Sequence, residues 1–109
     1  MSDQALEQKL QERGLNAPRL NPDHIAGKVV GEAYHHFPGT AQTVCCLTLE
    51  NGFTVVGESA AASLANFDAE IGREIAFKNA VEKVWMLEGY LLKQRLYDQE
   101  RFRGEATDV

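Results

Sequence analysis

The sequence predicts an α+β fold: a small antiparallel β-meander followed by a long C-terminal helix, with a short N-terminal helix ahead of both. Two stretches carry that expectation. In "TVCCLTLENGFTVVG" (43–57), Asn51-Gly52 separates two runs rich in β-branched and aromatic residues, the pattern of a hairpin closed by a type I′ turn. In "NFDAEIGREIAFKNAVEKVWMLEGYLLKQRL" (66–96), apolar residues return at three- and four-residue steps with no intervening proline, which is the helical period.

The elements follow in order. Residues 3–13 suit a short helix, with Ala5, Leu6 and Leu10 on one side and Gly14 as its stop. In the connector "LNAPRLNPDHIAGK" (15–28), Asn21 can cap a turn of helix, Pro22 fits its first position, Asp23 its positive end, and Gly27 ends it. "KVVGEAYHHF" (28–37) alternates as a strand. That places Val30, Glu32, Tyr34 and His36 on one face and Val29, Gly31, Ala33 and His35 on the other. "PGTAQ" (38–42) turns the chain into the hairpin strands at 43–50 and 53–58.

"ESAAASLANFD" (58–68) is a connector of small residues. Asn66 is the expected N-cap of the long helix, with Asp68 and Glu70 in its first turn. Its apolar stripe reads Ile71, Ile75, Ala80, Val84, Leu87 and Leu91, widened by Trp85 and Leu92, and it ends near Tyr97. Gly72 and Gly89 each cost about 1 kcal/mol relative to alanine inside a helix, so they mark close packing or a kink. Residues 1–27 therefore read as a helical arm and connector. Residues 28–109 read as one domain, with the sheet in 28–58, a helical region in 66–98 and a basic tail to 109.

Composition narrows the function. A chain of 109 residues with a formal net charge of −5 lacks the cationic surface on which general nucleic-acid binding rests. The exception is local: "KQRLYDQERFR" (93–103) sets Lys93, Arg95, Arg101 and Arg103 against Asp98 and Glu100. No run is long and apolar enough to span a membrane, and "MSDQALEQKLQERG" has no signal-peptide core, so a cytoplasmic setting is expected. Cys45 and Cys46 are adjacent on a strand and face apart, which predicts one buried packing residue and one half-exposed thiol. His35 and His36 face apart for the same reason, and no CxxC or other metal-ligand spacing occurs. Nucleotide-binding glycine loops are absent too. Neither a metal, a cofactor nor catalysis is expected.

Two side chains stand out against that background. Phe67 lies at the mouth of the long helix, where free backbone N–H groups favour an anion, although a staple-like packing role is the plainer reading. Arg95 lies beyond Gly89; it could neutralise a phosphate while Phe67, from the same or a neighbouring chain, stacks on a base. A solvated basic helix end is the bland alternative. Trp85 and Tyr90 fit core or subunit packing better than ligand binding. The wide stripe on so small a domain also predicts a homo-oligomer joined through its helices.

"TVCCLTLENGFTVVGESA" and "NFDAEIGREIAFKNAVEKVWMLEGYLLK" together resemble a family of small tailed-phage and prophage proteins, over about Thr43 to Lys93. The combination of the Asn-Gly-Phe hairpin, Asn-Phe-Asp, Gly72, Ala76, Trp85 and "LEGYLL" carries the resemblance. The chain is also similar to the first class of Thoeris anti-defence proteins, in which an antiparallel sheet precedes C-terminal helices. That resemblance implies a non-enzymatic oligomer in the host-cell cytoplasm. It would sequester a small anionic signalling nucleotide of the cyclic ADP-ribose type, with Phe67, Asn79 and Arg95 as ligand-binding residues. A module that binds and masks a host protein is the alternative, with nucleic-acid binding through 93–103 a more distant one.

Overall fold

The computed structural model describes residues 3–14 and 18–107, with side chains to residue 103; residues 1–2 and 15–17 of the expected arm and connector, and 108–109 of the expected tail, lie outside it. Helices α1 (Asp3–Glu12) and α2 (Pro22–Lys28) precede strands β1 (Val29–His36), β2 (Gln42–Leu49) and β3 (Thr54–Ala60). A 3-10 turn at Leu64–Asn66 leads into α3, Ala69–Thr107. The sheet is antiparallel in the order β1-β2-β3, and α3 lies across β2 and β3 on one face of it.

Local chemistry explains most of the boundaries. Gly14 stops α1 at φ +69°, donating its N–H to the Gln11 carbonyl. Asn21 caps α2 by accepting the His24 N–H at 2.8 Å, with Pro22 at the first position; the helix then passes through Gly27 to Lys28. Pro38 and Gly39 (φ +78°) make the turn into β2, and the Thr40 N–H donates back to the Phe37 carbonyl.

The hairpin stands where expected, but its turn is of another type. Only Gly52 has positive φ (+91°), and Asn51 does not. The Gly52 N–H donates to the Leu49 carbonyl at 2.8 Å and the Leu49 N–H to the Phe53 carbonyl at 2.8 Å, while Asn51 Oδ1 accepts the Phe53 N–H at 3.0 Å. This is a three-residue loop, a type I turn closed by a left-handed glycine, rather than the type I′ turn that Asn-Gly suggests.

Two further expectations shift by a residue or two. A bulge between Val29 and Gly31 changes the register of β1, so Val29, paired with Leu49, shares the helix-facing side with Glu32, Tyr34 and His36. Asp68, not Asn66, caps α3, accepting the Ile71 N–H at 3.0 Å. Phe67 then precedes the cap and leans toward Gly72 four positions into the helix, the staple arrangement.

The core is small-residue against sheet. Ala76, Ala80 and Val84, at four-residue spacing and fully buried, pack on Cys45, Leu47, Leu49 and Val55, with Ile25 closing one end. The closest approach is at Gly57, where an added Cβ would lie 2.2 Å from both the Ala76 carbonyl oxygen and the Ala80 nitrogen. Gly72 is also tight, 3.1 Å from Thr43 Oγ1, whereas Gly89 has nothing nearer than Leu20 at 3.9 Å. Ile71 and Ile75, expected in the buried stripe, are instead 54 % and 46 % exposed, and Leu91 is exposed as well. A helix this close to a sheet admits only small side chains in the contact row, so the large ones are turned to the flanks.

Helix α3 continues unbroken through Gly72, Gly89 and the run 98–107 that was expected to be a tail. No proline interrupts that run, and Gln94 donates to Asp98 at 3.0 Å one turn on. The long axis of the molecule is consequently 67 Å, against 33 and 23 Å across it. On the outer edge of β3, two α3 side chains reach over the strand: Asn79 Nδ2 donates to the Glu58 carbonyl at 2.7 Å, and Lys83 Nζ donates to that of Val56. Both carbonyls point away from β2, since Val55 and Gly57 make the ladder bonds.

Candidate functional site

The three residues singled out from the sequence fall at two ends of α3. Phe67 and Asn79 line one cleft, of about 420 Å³, between the start of α3 and the end of β3. Its charged residues are Glu58 and Asp68, with no Lys or Arg, so it offers nothing to hold an anion. The half-buried Phe67 ring is stacked on His36 at 4.5 Å between centroids and 16° between planes, and the Asn79 amide is held by the Glu58 carbonyl. Arg95 lines a different cleft. From Ala69 to Arg95 the helix rises on the order of 40 Å, so one chain does not bring Phe67 and Arg95 together.

The Arg95 cleft, about 290 Å³, opens between the hairpin tip and α3. The hairpin supplies Leu49, Glu50, Asn51 and Phe53, the end of α2 supplies Lys28, and successive turns of α3 supply Leu87, Glu88, Tyr90, Leu91 and Arg95. Phe53 and Tyr90 are 55 % and 70 % exposed, two aromatic faces without a covering neighbour. Sequence reasoning treated Phe53 as part of the hairpin and Tyr90 as packing. The signal available for both was an aromatic beside a turn glycine and another beside a helix glycine, and it did not separate binding from packing.

Charges in this cleft alternate in sign. Lys28 Nζ donates to Glu50 at 2.7 Å, and that bond holds the Lys28 ammonium above its ordinary range and the Glu50 carboxyl below its own. Glu50 therefore adds stability above the ordinary carboxylate range and loses it as pH falls through its lowered value; both groups are open to water, so the effect is small. Glu88 differs. Its side chain is only 8 % exposed, and the nearest basic nitrogens, His24 Nε2 and Lys28 Nζ, each lie 3.8 Å from Oε1, beyond hydrogen-bonding distance.

Elsewhere the candidate groups are occupied. Cys45 is buried and its thiol is pushed upward by that burial, while Cys46 is half-buried on the opposite face. Desolvation, then the 2.8 Å hydrogen bond it donates to Glu32, pushes the Tyr34 phenol well above its ordinary range, although the ring is 37 % exposed. His35 packs edge-on against Phe37. Trp85 is half-buried against the core and faces the underside of α1, which is tied down by the 2.7 Å Arg19–Glu7 ion pair. Among the described residues no helix is long and apolar enough to cross a membrane.

These features define a small α+β protein in which one cleft joins two open aromatics to a guanidinium. Residues 20–96 match the phage protein (N4 Gp49/phage Sf6 gene 66) family, and the chain belongs to it. The match begins ahead of α2, earlier than the resemblance seen in the sequence, and ends one residue beyond Arg95. No curated protein and no solved structure matches the chain.

Proposed function

We propose that this phage-family protein is a non-catalytic accessory protein that sequesters a small anionic signalling nucleotide, of the cyclic ADP-ribose type, against host defence. One observation supports the reading above others: Phe53 and Tyr90 stand open in the same cleft as Arg95. Two aromatics can stack on a base, and a guanidinium can take a phosphate in a two-pronged, charge-assisted contact. A volume near 290 Å³ sits at the lower edge of ordinary ligand sites, roughly 300 Å³ and upward, so the cleft accommodates one nucleotide unit and leaves the rest of a cyclic ADP-ribose-type ligand outside it.

A second copy of the chain would cover the remainder. The flank of α3 carrying Ile71, Ile75 and Met86 is apolar and open, which favours a homo-oligomer over a masked host protein as its cover.

Calorimetry with the cyclic nucleotide tests the proposal. Arg95→Ala and Tyr90→Ala should each weaken binding at least tenfold, since one stacked base or one charged contact is worth about 1–3 kcal/mol. Phe67→Ala weakens it only if the site is shared between copies. Wild-type protein that binds no such nucleotide would remove the proposal.

A further inference from the structure

Glu88 is the residue of the cleft that packing does not explain. Its side chain is more than nine-tenths buried, yet no hydrogen bond reaches the carboxylate from any described residue. His24 Nε2 and Lys28 Nζ stand at 3.8 Å, too far to donate to it, and the Lys28 ammonium is already directed to Glu50. His24 Nε2 is itself buried and makes no hydrogen bond. The fold thus gives the carboxylate no donor of its own and leaves its acceptor capacity to water or a ligand. Glu88 nevertheless lines the cleft between Phe53 and Arg95.

We infer that the Glu88 carboxylate is the specificity-determining group of this cleft, accepting a pair of adjacent N–H or O–H donors from the ligand. The inference rests on the nucleotide reading above and deepens it. An ionised carboxylate only accepts, and its two oxygens lie side by side in one plane. The complementary group therefore offers two neighbouring donors, which a nucleotide presents in two places: the N–H edge of guanine, or the cis-diol of ribose. Adenine's pairing edge alone does not fit, because it places a ring acceptor beside its single amino group. Phe53 and Tyr90 hold a flat ring in the cleft, and Arg95 fixes its phosphate end, so only the donor pair is left for Glu88 to read.

The test measures binding of guanylate, adenylate and their deoxyribose counterparts to wild type, Glu88→Gln, Glu88→Asp and Arg95→Gln. Wild type should prefer either guanylate over adenylate or ribose over deoxyribose by about tenfold, the worth of one or two hydrogen bonds to a charged acceptor. Which preference appears identifies the source of the donor pair. Glu88→Gln should erase the preference while keeping the Arg95-dependent binding common to all four ligands, and its melting temperature should hold or rise, since a buried charge is removed. Glu88→Asp, which keeps the charge but withdraws it by one methylene, should reduce the same preference; it gives the answer if the glutamine variant does not fold. Wild type binding all four within twofold, or a preference unchanged in both Glu88 variants, would overturn the inference while leaving nucleotide binding intact. Failure of wild type to bind any of the four, indistinguishable from Arg95→Gln, would overturn this inference, whereas the nucleotide reading falls only if the cyclic ligand also fails to bind.

Discussion

The two halves of α3 draw on similar residues and meet opposite fates. From Gly72 to Glu88 the helix lies on the sheet, and its buried row is Ala76, Ala80, Val84 and Glu88. From Lys93 to Arg103 it runs past the sheet, and only Leu96 is even half-buried; Tyr97 and Phe102 are 52 % and 74 % exposed. The larger apolar side chains are thus mostly outside and the smaller ones inside. Burial along α3 is set by how closely the backbone approaches β3, and Gly57 sets that distance.

The strongest way to break the comparison is to push the packed half away. Gly57→Val should destabilise by about 3 kcal/mol or more, because its first side-chain carbon meets helix backbone that cannot rotate aside. Urea denaturation would show an unchanged midpoint if the helix does not rest there. Gly89→Ala is the matched control: with 3.9 Å to Leu20 it should be neutral or stabilising, by up to about 1 kcal/mol.

Next in size is the exposed flank. If a second copy covers Ile75 and Met86, each contributes about 1.5–3 kcal/mol to association. The double variant Ile75→Glu/Met86→Glu should then convert the oligomer to monomer in light scattering while leaving the fold intact. A wild-type monomer at micromolar concentration would show instead that the large residues face water.

A smaller effect belongs to the hairpin that frames the Arg95 cleft. Gly52→Val forces a β-branched residue into φ +91° and should cost about 1–2 kcal/mol in thermal melting. Asn51→Ala removes one side-chain bond to the Phe53 N–H and should cost less, about 0.5–1 kcal/mol. The smallest effect is expected from truncation after Tyr97, which removes residues of the open half and should leave the melting temperature within a degree or two.

The legible parts of this molecule were those written in local chemistry. Asn21, Pro22 and Gly14 announce their caps, and Asn51-Gly52 announces a hairpin, because these residues act on their own backbone. What escaped depends on distances between elements. Asn51-Gly52 fits both a type I′ turn and a type I turn with a left-handed glycine; the three-residue loop decides. Asn66 and Asp68 are equally good caps in sequence, and the 3-10 turn at Leu64–Asn66 gives the position to Asp68. The bulge at Val29–Gly31 leaves no mark in a ten-residue alternation. Ile71 and Ile75 obey the helical period, but a period says which residues share a face, not which face is near the sheet. Phe67 and Arg95 were joined by chemistry alone, and the length of one straight helix separates them.

The occupied edge of β3 has a consequence for assembly. Sheets polymerise when each copy offers one free edge and accepts another, so that growth never terminates. Here the carbonyls of Val56 and Glu58 are already held by Lys83 and Asn79, which leaves β1 as the edge with an unclaimed ladder. Units with a single reactive end can pair but cannot form a chain. Edge-to-edge growth of this sheet would therefore stop at a pair instead of continuing into a fibre.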